Sequence, residues 1–342
     1  MTEMIGQVYR NDAVTIRMKQ DKVQSRFAKM GSAFGLISGM TFAVNSIILG
    51  IALAREPFTL GSGAIFVAPL VAAAMNDSMT ALWLLIYNIW KGNFKELVRS
   101  LKTTPGRMVC VAAILGGPVA MGCYLLGIQF CGSAYTMPIS ALCPVVGAIL
   151  ARIFMKQKMS TRVGIGMLIC IVGTALISFT PPEGNFPHFY LGLLFAFGSA
   201  LGWGAEGALA TFGMSMVNPD VAITIREITS GLASTLIVVP LISGIGMYGE
   251  LLKTPATLLV VAAAGLAGAI SFLTWYKANA MIGVASGMAL NITYSLWGLV
   301  FAFFVTGVSL STNLVIGAVA VTLGAMLVVV NPLEVFKKKG EA

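Results

Sequence analysis

Ten runs of apolar residues, each long enough to cross a lipid bilayer, constrain this chain more than any other feature. They cover about 31–54, 65–90, 107–129, 133–155, 160–180, 189–213, 219–244, 255–279, 283–305 and 310–331. A spanning helix needs roughly 17–25 apolar residues. Inside lipid every backbone N–H and C=O must find a partner within the protein, so runs of this length are helices. The period-two alternation of a membrane β-barrel is absent. Only 10% of the 342 residues are charged, against about 25% in soluble domains. The expected fold is therefore an all-α integral membrane protein with ten transmembrane helices.

The net charge of +9 could point to nucleic acid, but its distribution points to a membrane. With ten spans and the N-terminus inside, all of the 22 basic residues except Arg55 and Lys253 fall at or near the cytoplasmic side. Arg10, Arg17, Lys19, Lys22, Arg26 and Lys29 precede or open the first run. Lys91, Lys95, Arg99, Lys102 and Arg107 lie between the second and third. Arg152, Lys156, Lys158 and Arg162 join the fourth to the fifth. Arg226, Lys277 and the Lys337–Lys339 run complete the set. This is the positive-inside asymmetry, and it puts both termini in the cytoplasm. Residues 1–28 read as a polar, basic arm without the apolar core of a signal peptide, and 333–342 as a basic tail. Between the second and third runs, Phe94, Leu97, Val98 and Leu101 recur at i, i+3, i+4 and i+7. That spacing predicts either a short amphipathic helix on the inner leaflet or a solvated loop.

The chain carries an internal repeat. A shift of 151 aligns runs 3–5 with runs 8–10 without a gap. It sets Gly117 on Gly268, Ala134 on Ala285, Met137 on Met288, Gly147 on Gly298, Gly166 on Gly317, Gly173 on Gly324 and Pro181 on Pro332. A shift of 150 sets Pro69 on Pro219 and Asp77 on Glu227. A shift of 161 sets Ser38 on Ser199, Phe42 on Trp203 and Asn45 on Glu206. Two five-helix repeats, 29–180 and 189–332, follow (5+5). Five is odd, so the halves are inverted, which is the architecture of alternating access about a central site.

Ionisable residues inside spans cost about 2.5–3.5 kcal/mol each and mark pathways, coupling groups or ion pairs. Asp77, Glu206, Arg226 and Glu227 are such residues. Arg226 and Glu227 point to different helix faces and are expected to be poor partners for each other. Arg226 is expected to pair with Asp77 or Glu206, and Glu227 can face a cytoplasmic vestibule. Lys277 lies near a helix end, where it can snorkel. Three carboxylates against one arginine favour a cationic substrate or a coupling proton.

Trp203 and Glu206 lie one turn apart in Gly202-Trp203-Gly204-Ala205-Glu206-Gly207, whose glycines leave a face open. Trp275, Tyr276, Tyr294, Trp297 and Phe42 are candidates for the same cavity, and Asn291, Tyr294 and Gly298 share one stripe. Aromatic faces attract organic cations. Trp83 and Trp90 read instead as interfacial belt residues. The five cysteines show neither metal-ligand spacing nor a disulfide framework. His188, the single histidine, falls in an external loop. One histidine and scattered carboxylates give an enzyme little support. No P-loop or other nucleotide motif appears, and no cofactor or metal is expected.

The pattern Ala134…Pro144-Val145-Val146-Gly147…Lys156-Gln157-Lys158…Gly166…Gly173, over about residues 30–332, resembles the EamA-like drug/metabolite transporter superfamily. A closer resemblance is to bacterial choline permeases of the LicB type. Its blocks are Asn76-Asp77, Gly116-Gly117-Pro118, Gly202–Glu206, Ile225–Ser230, Ser271…Trp275-Tyr276 and Leu290–Tyr294…Trp297. Phe42 stands where those permeases carry tryptophan, and Lys277 where they carry an apolar residue. The resemblance implies a quaternary-ammonium site with aromatic walls and a central carboxylate, in a bacterial plasma-membrane importer driven by the proton gradient. Export of amino acids, drugs or other metabolites, as in many EamA-like members, is the alternative.

Overall fold

The computed structural model describes residues 2–61, 64–154, 161–179, 187–214, 217–282, 284–307 and 309–329. The basic runs Lys156–Lys158 and Lys337–Lys339, the aligned prolines Pro181 and Pro332, and the 333–342 tail lie outside the described residues, as do the side chains of the arm up to residue 24.

The described chain is helical, with no strand among the described residues. We number twelve helices in chain order. The first three are α1 (Thr2–Leu53), α2 (Ala64–Trp90) and α3 (Phe94–Leu101). Next come α4 (Thr104–Cys131), α5 (Ser133–Ser140 and Cys143–Phe154), α6 (Thr161–Ser178) and α7 (Phe189–Met214). Then follow α8 (Pro219–Leu241), α9 (Ile245–Lys253) and α10 (Pro255–Ile282). The last are α11 (Val284–Asn291 and Tyr294–Phe301, extended by Ala302–Thr306) and α12 (Thr312–Val329). Seven of these are long and apolar enough to cross a membrane, and α6 and α12 are shorter apolar helices. The basic arm is helical and runs into the first apolar run without a break.

Of the two readings of residues 94–101, the helix is the one observed. Leu97 turns inward onto Val109, Val221 and Ile225, while Phe94 and Leu101 stay exposed. A counterpart, α9, was not expected. It lies 151 residues further on, where Gly244 and Gly246 interrupt the apolar pattern.

The runs expected as continuous fourth and ninth helices are each broken. The breaks fall at Ala141–Leu142 and at Ile292–Thr293, again 151 apart. Across them Ser140 Oγ and the Tyr294 hydroxyl meet at 3.0 Å. Helix α4 also departs from α geometry. Leu115–Met121 forms a π segment around Gly116-Gly117-Pro118, because proline lacks the N–H that an α-turn uses and crowds the carbonyl four residues before it. π segments recur at functional sites.

Packing is reciprocal: α1 lies against α10 as α4 lies against α7, and α2 lies against α8. Helices α6 and α12 cross through glycines. A Cβ on Gly173 would lie 2.7 Å from the Gly317 carbonyl oxygen, and one on Gly317 would lie 2.7 Å from that of Gly173. Gly166 and Gly324 stand in the same mutual relation, also at 2.7 Å. Small residues let helices approach this closely in a membrane, where dispersion rather than water drives packing.

Candidate functional site

The cavity lies among α1, α5, α7, α8, α10 and α11. Phe42, Cys143, Trp203, Glu206, Arg226, Phe272, Trp275, Met288, Asn291 and Tyr294 line it. Its free volume is about 40 Å³, room for about three waters and well below the roughly 300–1,000 Å³ of small-molecule sites.

Phe42 is the hub of the aromatic wall. Its ring lies 4.9 Å from Tyr294, 5.6 Å from Tyr124, 5.7 Å from Trp203 and 6.0 Å from Phe272. Trp203 is fixed by an indole N–H that donates to the Gly116 carbonyl at 3.0 Å. That carbonyl belongs to the π segment, so the irregular turn of α4 orients a ring on α7. Gly116 also makes room for the carboxylate beside it: a Cβ there would lie 1.9 Å from Glu206 Oε2.

Glu206 is 5% exposed and Arg226 3%. The guanidinium holds the carboxylate with both arms, Nε to Oε1 at 2.8 Å and Nη2 to Oε2 at 3.1 Å. Its Nη1 donates to Glu227 Oε1, and its Cζ lies 5.1 Å from the Phe272 ring centre. Two charges taken from water need paired partners, and a bidentate pair satisfies both at once.

Two expectations are corrected here. Arg226 and Glu227 do pair, because a side chain this long reaches past the roughly 100° that separates neighbours on a helix. Glu227 does not face a vestibule: it is 0% exposed, and its Oε2 has no hydrogen-bond partner among the described residues. The pairing of Arg226 with Glu206 is observed, whereas Asp77 accepts from Ser230 Oγ and from Asn76 Nδ2. Asn45, at the repeat position of Glu206, donates to Asn76 Oδ1 at 2.9 Å and to the Ala264 carbonyl at 2.7 Å.

Of the residues singled out in the sequence, Phe42, Trp203, Glu206, Trp275, Asn291, Tyr294 and Arg226 meet at this cavity. Tyr276, Trp297, Asp77 and Glu227 do not line it. Tyr276 follows Trp275 and is turned away by the helical step; it is buried with its ring 5.3 Å from that of Trp275. Trp297 follows Tyr294 by three residues on the same helix and stacks on Phe301 at 6.1 Å. Phe272, Met288 and Tyr124 were missed. Phe272 precedes Trp275 by three residues and Met288 precedes Asn291 by three, so helical spacing could have found them.

Lys277 points away from the cavity. Its Nζ donates to the Tyr87 hydroxyl at 2.8 Å and lies 3.5 Å from Asp220 Oδ1. Trp83 donates to the Ala262 carbonyl at 3.0 Å, and Trp90 is 83% exposed, as suits belt residues. His188 packs against Phe130 at 5.7 Å. The five cysteines are free thiols, and among the described residues no cluster of three or more potential metal ligands occurs.

Helices of this length and apolarity, packed around an enclosed, charge-bearing cavity, define a multi-pass membrane protein. Residues 29–179 match the EamA-like transporter family. Protein LicB of Haemophilus influenzae (strain ATCC 51907 / DSM 11121 / KW20 / Rd) is 25% identical over 189 residues, which span 55% of this chain and 63% of LicB. A solved crystal structure shares the fold, with a TM-score of 0.58 over 87% of this chain and 94% of its own, at 16% identity. Both matches are consistent with the drug/metabolite transporter superfamily, and the LicB alignment reaches less than two thirds of that protein's length.

Proposed function

We propose that this protein is a secondary active transporter of a small organic cation, choline or a related quaternary amine, working by alternating access. The carrying observation is the aromatic wall of Phe42, Trp203, Phe272 and Tyr294 beside a buried carboxylate. Each ring contributes about 0.5–2 kcal/mol to a bound cation. Three rings supply roughly 2–5 kcal/mol, and micromolar binding needs about 8 kcal/mol, so charge must add the rest. Glu206, Glu227 and Asp77 against Arg226 leave the cluster at a formal −3 + 1 = −2. A cation entering the cavity reduces that imbalance, sharing Glu206 with Arg226.

We read the scaffold as ten spans in two inverted five-helix repeats, in the bacterial plasma membrane with both termini cytoplasmic. The paired helix breaks and the two short helices, each 151 residues apart, support this. So do the mutual glycine contacts: Gly166 against Gly324 becomes Gly317 against Gly173 when the halves are exchanged. Broken helices at a central site are typical of such transporters. Asp77 and Glu227 occupy one repeat position and lie behind the cavity wall. They are the groups we assign to proton coupling.

A second reading is export of amino acids, drugs or other metabolites. Arg226 in the cavity wall favours it, since Glu206 and Arg226 together offer an acceptor and a donor to a substrate with both ammonium and carboxylate. A thermal-shift screen of purified protein, with choline, betaine and carnitine against amino acids at two pH values, separates the two. Stabilisation by choline supports the first reading, and stabilisation by amino acids alone overturns it.

A further inference from the structure

We infer that an apolar groove between α2 and α10, outside the central cavity, seats an acyl chain of an anionic phospholipid whose headgroup meets Lys91 and Lys277. This does not depend on which substrate the protein carries.

The first observation is the groove itself. Trp83, Tyr87 and Trp90 on α2 and Leu266, Ala269 and Leu273 on α10 line a free volume of about 280 Å³, against about 40 Å³ in the central cavity. The two helices are bridged at both ends of it. At one end the Trp83 indole N–H donates to the Ala262 carbonyl at 3.0 Å. At the other, Lys277 Nζ donates to the Tyr87 hydroxyl at 2.8 Å. Between these struts Leu266 and Ile270 are each 41% exposed, so the groove is open along its flank. A hydrocarbon chain lying there gains the dispersion contacts that an unfilled gap forfeits.

The second observation is depth. Leu266, Ala269, Leu273 and Lys277 follow one another at three- or four-residue spacing, so one stripe of α10 runs from apolar to charged. From Leu266 to Lys277 the helix rises about 16 Å, half of the roughly 30 Å hydrocarbon core. The groove thus spans one leaflet with its lysine at the surface. On the topology proposed above, that leaflet is the cytoplasmic one.

The third observation is the charge at the mouth. Lys91 and Lys277 place their ammonium groups 5.0 and 5.2 Å from the centre of the Tyr87 ring. Both reach Asp220, at 3.6 and 3.5 Å, and the Tyr87 hydroxyl donates to Asp220 Oδ2 at 3.1 Å. Two ammonium groups and one carboxylate leave the cluster at a formal +2 − 1 = +1. The lysine side chains are 42% and 25% exposed and that of Asp220 only 10%, so the face offered to a ligand is positive. A phosphodiester supplies both the acceptors and the matching charge. A zwitterionic headgroup brings a cation of its own to the same place, which the lysines repel.

The test is native mass spectrometry of the purified full-length protein in detergent, titrated with phosphatidylglycerol or with phosphatidylcholine of the same acyl chains. The wild type should form a one-to-one complex with phosphatidylglycerol about fivefold tighter than with phosphatidylcholine, the worth of one net ammonium near a membrane surface. Lys91→Gln removes that charge from an exposed site, so the two lipids should become equal. Arg107→Gln removes the same charge from the start of α4, whose first turns pack on α7 and α8, and should leave the preference in place. Leu273→Trp fills the groove and should remove the one-to-one complex; Ile270→Trp serves if that variant does not fold. Equal wild-type affinity for the two lipids, an equal loss of preference in Arg107→Gln, or a one-to-one complex that survives filling of the groove each overturns the site and leaves annular lipid only. None of these results bears on the function proposed above.

Discussion

Replacing Gly173 by alanine tests the close crossing of α6 and α12. The new Cβ would lie 2.7 Å from the Gly317 carbonyl oxygen and 2.9 Å from the Val321 amide nitrogen. Ordinary contact begins near 3.4 Å, so the deficit is 3.4 − 2.7 = 0.7 Å. Both opposing atoms are backbone, and no side chain can rotate to absorb it; the helices themselves must part. Overpacking of this kind costs about 1–3 kcal/mol. Alanine gains up to about 1 kcal/mol over glycine in helix propensity, which masks part of the loss. Gly164 on the same helix is the control, since a Cβ there meets nothing within 4 Å. Propensity cancels between the two variants, leaving about 1–3 kcal/mol from the clash. In a chain of 342 residues that is roughly 1.4 °C of melting temperature per kcal/mol. Thermal unfolding of the two variants in one detergent measures it. The double variant Gly173→Ala, Gly317→Ala should lose less than the sum of the singles, because the gap opened by one Cβ relieves the other. Equal melting temperatures for Gly164→Ala and Gly173→Ala, or strict additivity in the double variant, would refute the reciprocal seam.

Glu206→Gln and Trp203→Ala should each lose most choline binding; normal labelled-choline uptake by both in proteoliposomes would sink the cation reading. Glu206→Gln should lower stability by less than the about 3–5 kcal/mol of leaving a buried charge unpaired, because Arg226 keeps Glu227 as a partner, visible as a modestly lower melting temperature. Gly116→Ala should impair binding through the carboxylate it displaces, its Cβ falling 1.9 Å from Glu206 Oε2; unchanged choline affinity would show that Glu206 can bind from elsewhere. Lys277→Met should leave choline affinity within about twofold, because its ammonium is engaged with Tyr87 and Asp220; a large gain in affinity would place that charge at the cavity.

What could be read in the sequence is what depends on local and periodic properties. Apolar length requires helices, because lipid offers the backbone no other partner. The 151-residue register exposed Gly166, Gly173, Gly317 and Gly324 as repeat positions before their contacts were known. The one-turn spacing of Trp203 and Glu206, and the cost of a carboxylate inside a span, marked α7 as the face to examine. Other features required the three-dimensional arrangement. The break at Ala141–Leu142 has a local cause in Pro144, which has no N–H for the Ser140 carbonyl, whereas the break at Ile292–Thr293 has no proline beside it and follows from packing. Arg226 holds Glu227 because a flexible side chain is not bound by the angular rule that separates their Cβ atoms. Lys277 turns to Asp220 because α8 brings that carboxylate within reach of α10. The apolar runs thus determined that this protein lives in a membrane as helices, and the charges within them that it has an interior with chemistry. Only the packing of those helices decided which of the candidate residues share a cavity, since contact depends on rotamers and on neighbours far away in the chain.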